Sequence, residues 1–225
     1  MAANFWTSSH YKQLQDPEDV DVVHPLDKDR GMTLEDFKLI KLHMSNYIAR
    51  LAQNVKVRQR VVATAITYMR RVYARRNSDE RYRFEIKEIL EMEMKILEAL
   101  NYYLVVFHPY RALSQMLQDA GMNDATQLTW GLVNDTYKMD LILIHPPHLI
   151  ALACIYIASV QKDKENTAWF EELRVDMNVV KNIAIEILDF YDSHKQITDE
   201  KSLTRECRQP PPEYFSGDVD VIGWK

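Results

Sequence analysis

Apolar residues along this chain recur at spacings of three and four, the period of helices that bury one face. Phe37, Ile40, Met44, Ile48 and Leu51 form one such stripe. It follows Thr33-Leu-Glu-Asp36, which has the layout of a capping box with Asp in place of the usual Glu or Gln. A second stripe runs through Val61, Ala65, Tyr68 and Val72 on a helix expected over about 57–75. A third runs through Ile86, Ile89, Leu90, Glu93, Ile96, Leu97 and Leu100 on a helix over about 84–100. A short helix is expected around Phe5–Leu14. The second part of the chain predicts five helices, over about 110–120, 125–139, 146–160, 167–173 and 177–193. Pro146 and Pro147 suit the first turn of the third of these, because their missing N–H groups cost nothing there. Asp176 is the expected N-cap of the last, whose buried stripe is Val180, Ile183, Ile187 and Phe190 or Tyr191.

The pattern is not the same in the two halves. Residues 149–160, Leu-Ile-Ala-Leu-Ala-Cys-Ile-Tyr-Ile-Ala-Ser-Val, are apolar all round, as befits the central helix of a bundle. The first half has amphipathic helices of the same kind but no such centre. Between Tyr73 and Phe84 it offers Ala-Arg-Arg-Asn-Ser-Asp-Glu-Arg-Tyr-Arg. Asn101–Tyr110 is aromatic and partly β-branched, and its Pro109 disfavours helix in the residue before it, so it reads as a connector between halves. Convincing period-two strands are absent apart from the brief apolar run Leu104–Phe107, so the fold class is all-α. Four segments follow: 1–32, an N-terminal segment with a short helix; 33–104, a first helical unit; 105–197, a second, complete one; and 198–225, a tail. Its Arg-Gln-Pro-Pro-Pro-Glu segment favours extended polyproline conformation, and the tail is expected to be mobile.

Composition narrows the class. Of 225 residues, 47% are hydrophobic and 27% charged, which suits a packed core and not a disordered chain. The net charge of −5 argues against non-specific nucleic-acid binding. Two cysteines, Cys154 and Cys207, fit a reducing compartment, with Cys154 acting as a small buried hydrophobe. Met-Ala-Ala-Asn-Phe-Trp is not the start of a signal peptide, since no apolar stretch follows a basic one. The one membrane candidate, 141–160, is interrupted by His145-Pro-Pro-His148, and about a dozen apolar residues on its long side fall short of the roughly 20 that span a bilayer. It reads as soluble core.

The search for catalytic chemistry is largely negative. There is no glycine-rich phosphate loop, G-x-S-x-G, H-E-x-x-H or cysteine pair at metal spacing, and no cofactor is implied. His145 and His148 could share a metal or simply form a solvent-exposed cap; no third ligand is evident. Glu88, Glu91, Glu93 and Glu98 make a solvated face balanced by Lys87 and Lys95. Arg70, Arg71, Arg75, Arg76, Arg81 and Arg83 form either a nucleic-acid or phosphate patch or, the favoured reading, an exposed surface at a helix end. Trp130 and Asn134 lie one turn apart on one helix face, with Asp135 and Tyr137 nearby. They are either core or a partner groove, since Trp and Tyr anchor interfaces and a flanking Asp accepts hydrogen bonds.

Several segments together carry a family resemblance. Asn4-Phe-Trp-Thr-Ser-Ser-His-Tyr11, Lys56-Val-Arg-Gln-Arg-Val-Val-Ala-Thr-Ala65, Phe107-His-Pro-Tyr-Arg111 and Trp130-Gly-Leu-Val-Asn-Asp-Thr-Tyr137 resemble C-type cyclins of plant type. His145-Pro-Pro and Ala168-Trp-Phe-Glu-Glu-Leu173 add to the match, which extends from residue 3 to about 201. The resemblance implies two five-helix cyclin boxes in tandem and a non-enzymatic protein. It implies a partner, the cyclin-dependent kinase of the Mediator kinase module, along with other Mediator subunits, and no direct nucleic-acid or membrane partner. Location in the nucleus and a role in RNA polymerase II transcription follow. So do kinase contacts at Glu93, with Phe5 and Trp6 of the N-terminal segment, and a groove for another partner at Trp130, Asn134, Asp135 and Tyr191.

The sequence also departs from that family. The first box shows three of its five helices. After Arg76 the chain passes directly to the end of the family's fourth helix, a loss on the order of forty residues with loops. The missing central helix is where the family carries Ala-Ser-Lys-x-Glu-Glu, whose lysine holds the kinase backbone with Glu93 as its counterpart. In the intact second box the equivalent helix carries Leu149, Ile150, Leu152, Ile155, Tyr156 and Ile157. Burying six such side chains at ~1.5–3 kcal/mol each contributes on the order of 10–18 kcal/mol, against a usual domain stability of about 5–15 kcal/mol. The first half is therefore expected to be helical but loosely packed, and kinase activation weakened. An internal loss with a divergent end suggests a splice variant or an imperfect gene model. The rival readings are a cyclin-fold nucleic-acid-binding factor of the transcription factor IIB type, which would need basic faces, and a small enzyme.

Overall fold

The computed structural model describes residues 4–29, 31–74, 86–164 and 166–195. All regular structure among them is helical. A 3-10 turn, Phe5–Thr7, opens the chain and is followed by short helices α1 (Ser9–Lys12), α2 (Pro17–Val20) and α3 (Pro25–Asp29). Then come α4 (Leu34–Asn54), α5 (Gln59–Tyr73) and α6 (Ile86–Ala99). The second half holds α7 (Tyr110–Asp119), a 3-10 turn at Asn123–Ala125, α8 (Thr126–Thr136), α9 (Leu141–Ile144), α10 (Pro147–Gln161), α11 (Thr167–Glu172) and α12 (Met177–Lys195). The expected tail from 198, Cys207, and Arg75, Arg76, Arg81 and Arg83 of the basic stretch lie outside the described residues.

Local signals account for the helix ends. The Thr33 hydroxyl accepts from Asp36 N at 3.1 Å, and the Asp36 carboxylate accepts from Thr33 N at 3.1 Å, closing the expected capping box on α4. Asp176 accepts from Asn178 N at 2.9 Å and caps α12. α7 ends in a Schellman motif: Gly121 takes φ +64, and Met122 N donates to Leu117 O at 2.9 Å. The same closure ends α4 without a glycine. Lys56 stands at φ 54, and Val57 N donates to Ala52 O at 3.1 Å.

The core sits in the second half. α10 packs against α7, α8 and α12. Its Ile150, Leu152, Ile155 and Ile157 are buried, as are Ala151, Ala153, Cys154 and Ala158. Leu113, Leu132, Val133, Val180, Ile183 and Ile187 close around them.

The first half packs differently from its expected stripes. In α4 the buried positions are Phe37, Lys41, Ser45 and Ala52, while Leu51 is 47% exposed and Ile40, Met44 and Ile48 are half-buried. The face is rotated because Lys41 and Ser45 meet charged partners in the interior, described below. In α5 the buried residues are Val62, Ala63, Ile66, Thr67, Arg70 and Arg71. Val62, Ala63 and Ile66 belong to the same apolar cluster as the second-half core. The expected stripe faces away from it: Val61 is 54% exposed, and Ala65, Tyr68 and Val72 are half-buried. On α6, Leu90 is 56% exposed and Met94 and Glu93 are exposed; among its residues of described burial only Ala99 is buried, with Leu100 just past the helix end. Arg70 and Arg71 are buried, not an exposed helix-end surface. Arg70 is drawn inward by the carbonyls and carboxylate that it binds.

Candidate functional site

Two surfaces carry the residues singled out from the sequence. The first lies on α8 and its neighbours. The Trp130 ring stacks on Tyr110 with centroids 4.8 Å apart. The Tyr110 hydroxyl donates to Asn134 Oδ1 at 2.8 Å. The adjacent Asp135 accepts from Tyr191 Oη at 2.7 Å on one oxygen and from Lys138 Nζ at 2.8 Å on the other. Trp130, Asn134, Asp135 and Tyr191 are all half-buried, with an inner layer of aromatic and aliphatic packing and an outer polar edge. The helix period brings 130 and 134 onto one face; α12 delivers Tyr191 to the neighbouring Asp135.

The electrostatics of this surface follow from burial. Burial pushes the Tyr110 phenol up to about 12. Burial, and then the hydrogen bond to Asp135, raise Tyr191 as well. Burial raises the Cys154 thiol behind them to about 12, with Asp135 adding to it, so this cysteine is a neutral packing group. The surface is thus a set of neutral aromatic donors around one carboxylate. It can bind hydrogen-bonding and apolar groups and offers no activated nucleophile.

The second surface is built on the N-terminal segment. Phe5 is half-buried among the rings of His10, Tyr11 and Phe107, with centroids 5.4–5.7 Å away. Trp6 is 53% exposed and rests edge-on against Tyr11 at 5.2 Å and His148 at 5.3 Å. The segment is tied down by His10 Nδ1, which accepts from Phe107 N at 2.9 Å, and by Gln15 N, which donates to Leu143 O at 2.8 Å. Burial, then the nearby Arg71 charge, lower the pKa of His10 to about 4, so its imidazole is neutral. Glu93 stands apart from both surfaces in sequence and lies exposed on α6.

His145 and His148 are half-buried, not a solvent-exposed cap, and burial lowers both pKa values. Among the described residues, no group of three or more His, Cys, Asp or Glu could hold a metal ion. No described helix is long and apolar enough to cross a membrane.

Several functional-looking residues were not foreseen. Tyr110 belonged to a segment read as connector, and its stacking partner Trp130 lies twenty positions away. His108 bridges α5 and the turn that follows α8: its Nε2 meets Thr64 Oγ1 at 2.9 Å and its Nδ1 meets Tyr137 Oη at 2.6 Å. Thr64 gives its own proton to Arg60 O at 2.9 Å, so Nε2 is the donor and Nδ1 accepts from Tyr137. Burial, then Arg60 and Arg71, lower the pKa of His108 to about 4. The ion cluster at Asp140 was also missed; its partners, Lys41 and Arg70, are 99 and 70 positions away.

The architecture defines the class, an all-α protein of the cyclin-box type. It aligns with a chain of the yeast TFIIK (Kin28/Ccl1/Tfb3) complex at TM-score 0.65 and 17% identity, covering 81% of this chain and 100% of that one. A chain of the yeast RNA polymerase II CTD kinase CTDK-1 complex gives TM-score 0.65 at 15% identity, covering 88% and 84%. No family model matches the sequence. Curated relatives take the assignment further: the chain belongs to the cyclin C family. It is 61% identical to Cyclin-C1-2 of Arabidopsis thaliana (89% of this chain, 95% of that protein) and 63% identical to Cyclin-C1-1 of Oryza sativa subsp. japonica (87% and 91%). It is 32% identical to Cyclin-C of Rattus norvegicus (99% and 97%). The Arabidopsis match spans 241 positions, yet 89% of 225 residues is about 200, so about 40 of those positions have no residue in this chain.

Proposed function

We propose that this chain is a regulatory cyclin subunit that binds and activates the cyclin-dependent kinase of the Mediator kinase module, acting on RNA polymerase II transcription in the nucleus. Membership of the cyclin C family carries the reading. The chain supplies no catalytic residue. Its task is to press on the kinase N-lobe so that the kinase's own lysine–glutamate pair closes over ATP. Residues 33–104 form the first box and 105–197 the second, with 198–225 a tail.

Glu93, exposed on α6, is the proposed kinase contact, with Phe5 and Trp6 of the docked N-terminal segment. Trp130, Asn134, Asp135 and Tyr191 are the proposed receiving surface for another subunit of the module. An Asp with two donors beside two stacked aromatics suits a peptide that brings both an apolar and a hydrogen-bonding side chain.

The segment of about forty residues missing after Arg76 removes the lysine that would pair with Glu93 in gripping the kinase. Activation by this form is accordingly weakened. The exposed Leu90, Met94 and Val61 support this, being apolar positions left open among the described residues. The test is reconstitution with the purified kinase and a polymerase-tail peptide substrate. This chain is expected to stimulate phosphorylation less than a version with the missing segment restored. Glu93→Ala is expected to reduce the restored version's stimulation. Equal stimulation by both forms contradicts the impairment; no stimulation by either contradicts the kinase role.

A further inference from the structure

We infer that Arg70, on the shortened first half, is a positioning residue for the α8 surface of the second half. Its guanidinium is 2% exposed and grips the turn that follows α8 at three points. Nε donates to Tyr137 O at 3.0 Å, Nη2 donates to Lys138 O, and Nη1 pairs with Asp140 Oδ1 at 2.6 Å. Nη2 also reaches Ser45 Oγ on α4 at 3.3 Å. The turn thus held is continuous with the surface. Lys138, whose carbonyl Arg70 holds, places its ammonium on Asp135, which in turn receives Tyr191 Oη. Tyr137, whose carbonyl Arg70 also holds, sends its hydroxyl to His108.

Lys41 provides an internal control. It too is buried and pairs with Asp140, at 2.6 Å, and with Asp21 at 3.4 Å. Among the described residues its ammonium bonds the Asp21 and Asp140 carboxylates and no carbonyl of 137–138. Lys41 therefore supplies charge to Asp140, while Arg70 supplies charge and fixes the backbone. The planar fork of arginine makes this possible, and a lysine at 70 could not hold three acceptors in that arrangement. The remnant of the first half consequently has a role that survives loss of its central helix: it sets the position of residues 135–140. The inference rests on the reading of that surface as a partner site only for its biological consequence, not for its geometry.

The test is amide hydrogen exchange of the full chain, with resonance shifts of the Tyr191 ring, for Arg70→Lys, Arg70→Met and Lys41→Met. Both Arg70 variants are expected to speed exchange across 137–143 at least tenfold and to shift the Tyr191 ring. Lys41→Met is expected to leave both near the parent. Should Arg70→Met fail to fold, Arg70→Lys, which retains the charge, carries the comparison. Unchanged exchange at 137–143 in Arg70→Lys, or the same pattern in Lys41→Met, overturns the inference. A normal partner affinity in Asp135→Ala would instead sink the partner-surface reading and leave the positioning role standing.

Discussion

α10 and α5 are both helices of 15 residues, and their surroundings could hardly differ more. α10 is buried nearly all round, from Ile150 to Ser159. α5 buries one face, Val62–Ala63–Ile66–Arg70, and turns Val61 outward. Among the described residues, the buried face of α5 packs on α4 and finds no separate apolar core there. It joins the second half's apolar cluster, and its end is fastened there by Arg70. Periodicity can thus specify that a helix forms, while burial requires something to pack against. The second half has its centre; the first half borrows it.

Large effects should separate the halves most clearly. Ile155→Ala opens a cavity in α10 and is expected to cost ~2–5 kcal/mol, whereas Val61→Ala or Leu90→Ala should stay within about 0.5 kcal/mol. Urea unfolding of the three variants checks this, and equal losses would break the comparison. Acid comes next. The folded state holds His10 neutral, with its pKa lowered to about 4 from 6.5, so the unfolded chain binds more protons between those values. Stability is complete above about pH 6.5 and falls as pH drops towards 4, by about 3 kcal/mol from this group; His108 adds in the same direction. Asp140 acts in a lower window. Burial alone would raise its carboxyl, but Arg70 and Lys41 outweigh burial and hold it below its ordinary value. Its contribution is lost only as pH falls through that lowered value. A urea midpoint flat between about pH 6.5 and 4 would contradict the buried docking of the N-terminal segment.

Smaller effects probe local specification in the first half. Thr33→Ala removes the capping box and should cost about 1 kcal/mol, seen as a lower thermal midpoint. Lys56→Gly should do the reverse. Lys56 occupies a left-handed conformation that burdens a residue with a side chain, so glycine there is expected to raise stability by about 0.5–1 kcal/mol. A loss would show that the αL position is not strained.

The sequence was a good guide wherever a signal was local. The Thr33–Asp36 box, the Asp176 cap, the proline at the head of α10 and its apolar run all lie within a few residues, and each appears in the fold as read. The stripes of α4 and α5 were misjudged for a reason outside those windows. Periodicity ranks apolar residues above charged ones, yet Lys41 and Arg70 are buried because Asp140, far along the chain, neutralises both. The same limit applied at the α8 surface. The shared face of Trp130 and Asn134 follows from helix geometry, and the Lys138–Asp135 pair is a local one three residues apart, whereas Tyr110 joins through stacking across twenty positions that no motif announces.

Native-state hydrogen exchange of the full chain, followed residue by residue in low urea, tests the dependence of the first half on the second most directly. The account predicts that amides of α4, α5 and α6 exchange through partial openings that leave α10 protected, with α6 opening most readily. If α4–α6 and α10 exchange together, at one common free energy and urea dependence, the first half is an integral part of a single cooperative core and the contrast drawn between the halves is wrong.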